Sequence, residues 1–207
     1  MVGAMPANIL SKAQITAVVL AGGLGRRMSS DGRGINKAMV QVHGRPMIAH
    51  VIERIQAQVS SIIINADPHQ ADLKALGLPV VADQIADRPG PLAGIHAALA
   101  CINTPWLLSV PCDTPRLPHD LVARLVHAQM QSSADRVSVI CAGQRHPVIA
   151  LIHRSLAGEL ESFVRTGGRR IESWLAQGQW VEAEFEDEAA FVNVNTADEL
   201  NHLERSQ

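Results

Sequence analysis

Short runs of aliphatic and β-branched residues alternate along this chain with longer stretches whose apolar positions recur every three or four residues. The first run, Ile15 to Leu20, is apolar or small throughout and stops at a glycine pair, as a strand buried on both faces would. Comparable runs lie at Ser61–Ala66, Pro79–Ala82, Trp106–Val110, Arg136–Ala142, Pro147–His153, Val181–Phe185 and Phe191–Val194. Helical spacing begins at Pro46 (Ile48, Val51, Ile52, Ile55, Val59) and returns briefly after Asp67-Pro68. It recurs from Gly90-Pro91 (Leu92, Ile95, Ala98, Leu99), over Pro118–Gln131, through Leu156, Leu160, Phe163 and Val164, and through Ile171, Trp174 and Leu175. Thr196 is placed to cap a last helix. Strands alternating with helices predict a three-layer α/β sandwich with a mainly parallel sheet. One domain is expected over residues 14–207, with residues 1–13 as a flexible N-terminal extension.

Ligands of such sheets bind beyond the carboxyl ends of the strands. Polar clusters fall at three of those ends: Gly22 onward, Asn65 onward, and Pro111-Cys112-Asp113.

Composition narrows the ligand. Of 207 residues, 47% are hydrophobic and 18% charged, with a formal net charge of -2. A chain without basic excess is a poor nucleic-acid binder, so any anionic ligand must be held by a few local cations. Three cysteines, none in a C-x-x-C spacing, argue against a disulfide framework and fit a reducing cytoplasm. No apolar run has the ~18 residues a membrane span needs.

The segment Leu20-Ala21-Gly22-Gly23-Leu24-Gly25-Arg26-Arg27, followed by Lys37, suits a polyphosphate. Glycines let backbone N–H groups approach an anion, and the cations neutralise it. It is neither a P-loop nor a complete dinucleotide fingerprint. By itself it reads equally well as a plain glycine-rich loop. Asp113 is placed to hold Mg²⁺ or, alternatively, to cap a turn. Asp83 can accept hydrogen bonds from the ring N–H and amino group of guanine, or sit in a turn beside Asn65. Alternation puts Asn193 and Asn195 on one face of the last strand. Arg145-His146-Pro147 and Gly167-Gly168-Arg169-Arg170 add polar and positive groups.

No one of these motifs decides the matter, but their order along the chain is distinctive. Leu20-Ala21-Gly22-Gly23, Lys37, Asn65, Asp83, Gly90-Pro91-Leu92-Ala93-Gly94, Pro111-Cys112-Asp113, His146-Pro147-Val148 and Asn193-Val194-Asn195-Thr196 together resemble the molybdenum cofactor guanylyltransferase family, from about Ile15 to Leu203. The resemblance implies a Rossmann-like nucleotidyltransferase fold and transfer of GMP from GTP to molybdenum-bound molybdopterin. It implies GTP contacts at Leu20, Ala21, Gly22, Gly23, Lys37, Asn65, Asp83 and Asp113, with Mg²⁺ on Asp113. Asp113, Lys37 and Arg27 would be catalytic. His146, Arg169, Arg170, Asn193 and Asn195 would face the molybdopterin side. Molybdoenzymes or cofactor-insertion chaperones would be partners. The chain departs from the family pattern in a longer loop before Lys37 and in Asn36, which stands where the family usually has an acid. The rival readings are a cytidylyltransferase or sugar-phosphate nucleotidyltransferase of the same fold, and a catalytically idle nucleotide-binding protein.

Overall fold

The structure, a computed structural model, describes residues 10–22, 24–25, 35–85 and 90–205. Strands Ile15–Leu20 (β1), Ser61–Asn65 (β2), Val80–Val81 (β3), Trp106–Pro111 (β4), Arg136–Cys141 (β5), Gln144–His153 (β6) and Trp180–Phe185 (β7) form one sheet in the order β7-β5-β6-β4-β1-β2-β3. All neighbours pair in parallel except those of β6, which runs antiparallel to both β4 and β5. Helices Met47–Ile55 (α1), Ala71–Lys74 (α2), Pro91–Cys101 (α3), Leu121–Ser132 (α4), Ala157–Arg165 (α5), Ile171–Leu175 (α6) and Ala197–Arg205 (α7) complete the element order.

The sandwich follows from the two-sided burial of the strands. Ile15, Ala17 and Val19 of β1 point to one face, where they meet Ile48, Val51 and Ile55 of α1 in a cluster that also holds Leu121, Val122 and Leu125 of α4. Val18 points to the other face, into the cluster of Leu92, Ile95 and Leu99 of α3, Leu160 and Val164 of α5, and Trp174 and Leu175 of α6. Strands covered on both sides need unbroken apolar runs, and β1, β2 and β4 supply them.

The run Phe191–Val194 is not a strand. Glu188–Phe191 forms a 3₁₀ turn capped by Asp187, whose carboxylate accepts from the Ala189 N–H. The Val194 N–H donates to the Asp113 carbonyl at 2.9 Å, a single tie in place of a ladder. Asn193 and Asn195 therefore do not share a strand face; the loop itself positions them. Helix α1 stops at Ile55, short of the spacing that runs to Val59, and Val59 is buried before β2. The turn between β5 and β6 uses Ala142 and Gly143, both at positive φ, as a tight hairpin of right-twisted strands requires. No helix among the described residues is long and apolar enough to cross a membrane.

Candidate active site

A cleft of about 1030 Å³ runs across the carboxyl ends of the parallel strands. That is at the top of the roughly 300–1,000 Å³ typical of small-molecule pockets, so there is room for two substrates. Its lining draws on each polar cluster at the strand ends: Leu20 and Gly22 after β1, Asn65 after β2, Asp83 after β3, and Cys112 and Asp113 after β4.

At its centre Lys37 donates to the Asp113 carboxylate and to Asn195 Oδ1. The Lys37 and Asp113 side chains are only 13% and 16% exposed, so the pair is largely shielded from water. Local structure fixes the lysine. Asn36 caps the 3₁₀ turn Lys37–Met39, its side chain accepting from the Ala38 N–H at 3.2 Å and donating to Gln70 at 3.3 Å. Asparagine caps as well as aspartate does, so the departure at this position preserves the geometry of the turn. Asp113 is held by its own carbonyl, which takes the Val194 N–H, and Thr114 donates to Asn193 Oδ1 at 2.7 Å. The chain after β7 is thereby pinned beside the end of β4.

Asp113 Oδ1 is buried and has no protein partner. A buried carboxylate oxygen without a partner is costly unless a ligand completes it. Among the described residues no group of three or more His, Cys, Asp or Glu could hold a metal. A single carboxylate with nearby amide oxygens, Asn193 and Asn195, is instead a donor set of the hard kind that Mg²⁺ takes together with substrate phosphates. The residues present therefore fit Mg²⁺.

At the β3 side the Asn65 amide donates to Asp83 Oδ1 at 2.9 Å and to the Val81 carbonyl at 3.2 Å. Asn65 is buried, whereas Asp83 is exposed to the cleft. The Ala21 N–H donates to the Asn65 carbonyl and the Cys112 N–H to the Leu20 carbonyl, so the strand ends are tied edge to edge. Ala21 is buried behind this wall and does not line it. Gly90, at φ +67°, starts α3 with Pro91 following, and both face the cleft. Cys112 is a buried thiol pushed up to about 12, mainly by burial, and is no nucleophile at neutral pH.

The β7 side owes its shape to a wide irregularity. His146 of β6 pairs with Val139 of β5, yet the next pair is Ala150 with Ser138. Pro147, Val148 and Ile149 are left outside the ladder and line the cleft together with His146, Phe191 and Val192. Such bulges re-aim side chains next to functional sites. The His146 ring lies 5.2 Å from that of Phe191, and burial lowers its pKa, so it is neutral near pH 7. No periodicity in the sequence announces this bulge, although Pro147, unable to donate to a ladder, marks its start.

Arg169 and Arg170 do not line the cleft. Arg169 turns back to donate to the Val164 and Gly168 carbonyls, and Arg170 is the residue before α6. Gly23 and Arg27 lie outside the described residues. Two cleft carboxylates escaped the sequence reading. Glu199 lies in α7, where it closes a capping box with Thr196 and accepts the Asn195 and Thr196 N–H groups at 2.6 and 2.9 Å. The Asn195 bond holds its carboxyl below the usual range. Its spacing from Thr196 is the capping-box signature that could have found it. Glu188, at the β7 end, carries no such signal.

Comparison with known proteins agrees with this geometry. A family model described as the MobA-like NTP transferase domain matches residues 17–182. A molybdenum cofactor guanylyltransferase of Cupriavidus metallidurans is 40% identical over 96% of this chain and 98% of its own length. One of Shewanella halifaxensis is 42% identical over 92% of this chain and 94% of its own. Among solved structures, the molybdopterin-guanine dinucleotide biosynthesis protein A of Archaeoglobus fulgidus superposes with a TM-score of 0.74 at 25% identity, covering 91% of this chain and 96% of that one. With the glycine turn, the held lysine–aspartate pair and the Asn65–Asp83 contact in one cleft, this chain belongs to the MobA-like NTP transferases and, within them, to the molybdenum cofactor guanylyltransferase family.

Proposed function

We propose that this chain transfers GMP from GTP to the terminal phosphate of molybdenum-bound molybdopterin, forming molybdopterin guanine dinucleotide and releasing pyrophosphate. The names of its relatives support the reading. One observation carries it: Asp83, held by buried Asn65, shares a cleft with the Lys37–Asp113 pair. Guanine offers a ring N–H and an amino group side by side, and a carboxylate accepts both. Each carboxylate oxygen has two lone-pair sites, so the bond from Asn65 leaves Asp83 free to do this.

An oxygen of the acceptor phosphate attacks the α-phosphorus of GTP in line. The bond from that phosphorus to the bridging oxygen breaks, and pyrophosphate leaves with the electron pair. No covalent enzyme intermediate is required, so catalysis rests on positioning and electrostatics. The Lys37 ammonium, oriented by two acceptors, neutralises phosphate charge. Asp113 with Asn193 and Asn195 would hold Mg²⁺, which would supply positive charge against the phosphates. His146, neutral, contributes hydrogen bonding without charge at the acceptor side.

Thermal melting with Mg²⁺ and each of GTP, ATP, CTP and UTP tests the reading. A nucleotide at ~100 times its dissociation constant adds about 2.7 kcal/mol. GTP alone should raise the wild-type melting temperature, and Asp83→Ala should lose most of that rise. A rise with CTP instead would point to a cytidylyltransferase. No rise with any nucleotide would defeat the proposal.

A further inference from the structure

The β7 end of the cleft holds a carboxylate that the reaction above does not use. Glu188 opens the 3₁₀ turn Glu188–Phe191 and lines the cleft. The other carboxylates lining it are engaged: Asp83 by Asn65, Asp113 by Lys37, Glu199 by two backbone N–H groups. The Glu188 carboxylate is different, with no hydrogen bond or ion pair to another described residue. Its charge is felt at the end of β5, where, after burial, it is the next cause of the raised pKa of Cys141.

Apolar surface adjoins it. Val192 is 47% exposed, one of two large hydrophobic residues so exposed among those described, and it lines the same cleft. Phe191 and the unpaired residues Pro147 and Val148 extend that wall. A free carboxylate beside an apolar wall suits a flat heterocycle with N–H donors along one edge.

The sheet order sharpens the point. Asp113 follows β4, the middle strand. Asp83 follows β3, three strands to one side, and Glu188 follows β7, three strands to the other. At ordinary strand spacing the ends of β3 and β7 each lie about 14 Å across the sheet from the end of β4. A dinucleotide joined at its phosphates over Asp113 would reach one carboxylate with each of its rings.

We infer that Glu188 selects the pterin of the acceptor, accepting hydrogen bonds from its ring N–H and 2-amino group. Pterin and guanine share the 2-amino-4-oxopyrimidine edge, so the cleft reads the same donor pair at both ends with a carboxylate each time. The inference rests on the proposal that molybdopterin is the acceptor.

The sign of one substitution separates this role from general electrostatics. Molybdopterin carries a phosphate and is anionic, so removing a nearby negative charge would by itself tighten binding. Charge-assisted hydrogen bonds are the stronger kind, so their loss in Glu188→Gln should weaken binding instead. The test titrates the full chain and its Glu188→Gln variant, under anaerobic conditions, with metal-free molybdopterin and, separately, with GTP and Mg²⁺, following tryptophan fluorescence. The expected result is a molybdopterin dissociation constant raised about 10-fold, an unchanged GTP constant and an unchanged melting temperature, since Glu188 is exposed. Equal or tighter molybdopterin binding by the variant, with GTP binding intact, overturns the role of Glu188 and leaves GMP transfer standing. Wild-type protein that binds GTP but not molybdopterin overturns both.

Discussion

Asp113→Asn should lower the rate of GMP transfer at saturating substrates by about 10²–10³-fold, the usual cost of removing one preorganised electrostatic group. The side chain keeps its size, and Lys37 keeps Asn195 as an acceptor. The loss therefore falls on charge at the reaction centre: the buried, unpartnered Oδ1 would no longer be a carboxylate oxygen. Pyrophosphate release measures the rate. A melting temperature within about 2–4 °C of wild type, the equivalent of 1 kcal/mol in a chain of this size, would separate chemistry from folding. Lys37→Ala should cost a similar factor. The double variant should lose far less than the product of the two, because residues that act as a unit are not additive. A wild-type rate in Asp113→Asn would remove Asp113 from the mechanism.

Gly94→Ala should damage the nucleotide site without touching a ligand. On an ordinary helix alanine is favoured over glycine by about 1 kcal/mol. Here an added Cβ would stand 2.2 Å from Asn65 Oδ1 and 2.7 Å from a methyl of Leu20. Both neighbours belong to strand ends that wall the cleft. Overpacking of this kind costs about 1–3 kcal/mol, and any shift of the Asn65 side chain away from the new methyl disturbs its bonds to Asp83 and the Val81 carbonyl. The expected outcome is a lower melting temperature together with GTP affinity reduced by about 10²-fold, the larger loss being discrimination between GTP and ATP. If melting falls but GTP affinity does not, the Asn65–Asp83 contact is structural only. The tight packing of α3 on β1 and β2 thus leaves no room for a side chain at Gly94.

Much of this could be read from residue pattern because the relevant physics is local. Apolar runs buried on both faces identified the strands of the central sheet, and the glycine at the end of β1 and the acids at the ends of β3 and β4 fell where a doubly covered sheet places its ligands. The Thr196 cap was likewise local. What escaped depended on contacts far apart in sequence. The tie between Val194 and Asp113 turns an alternating run into a loop. Arg169 folds onto the carbonyls of Val164 and Gly168, in its own connection, and does not line the cleft. Glu188 acquires meaning only when β7 is known to be the sheet edge opposite β3, an order that no stretch of sequence encodes by itself.

The inverted strand β6 has a consequence for how such an enzyme can change. Two of its three unladdered residues, Pro147 and Val148, lie outside both the ladder and the buried core, so exchanging them disturbs neither. The groups that grip the nucleotide, by contrast, are braced by strand-to-strand bonds and by a helix packed to the limit of a missing methyl. One half of the cleft is thus free to drift in shape while the other is mechanically locked. A lineage built on this frame could acquire new phosphorylated acceptors through exchanges at His146, Pro147 and Val148 while keeping its nucleotide donor throughout.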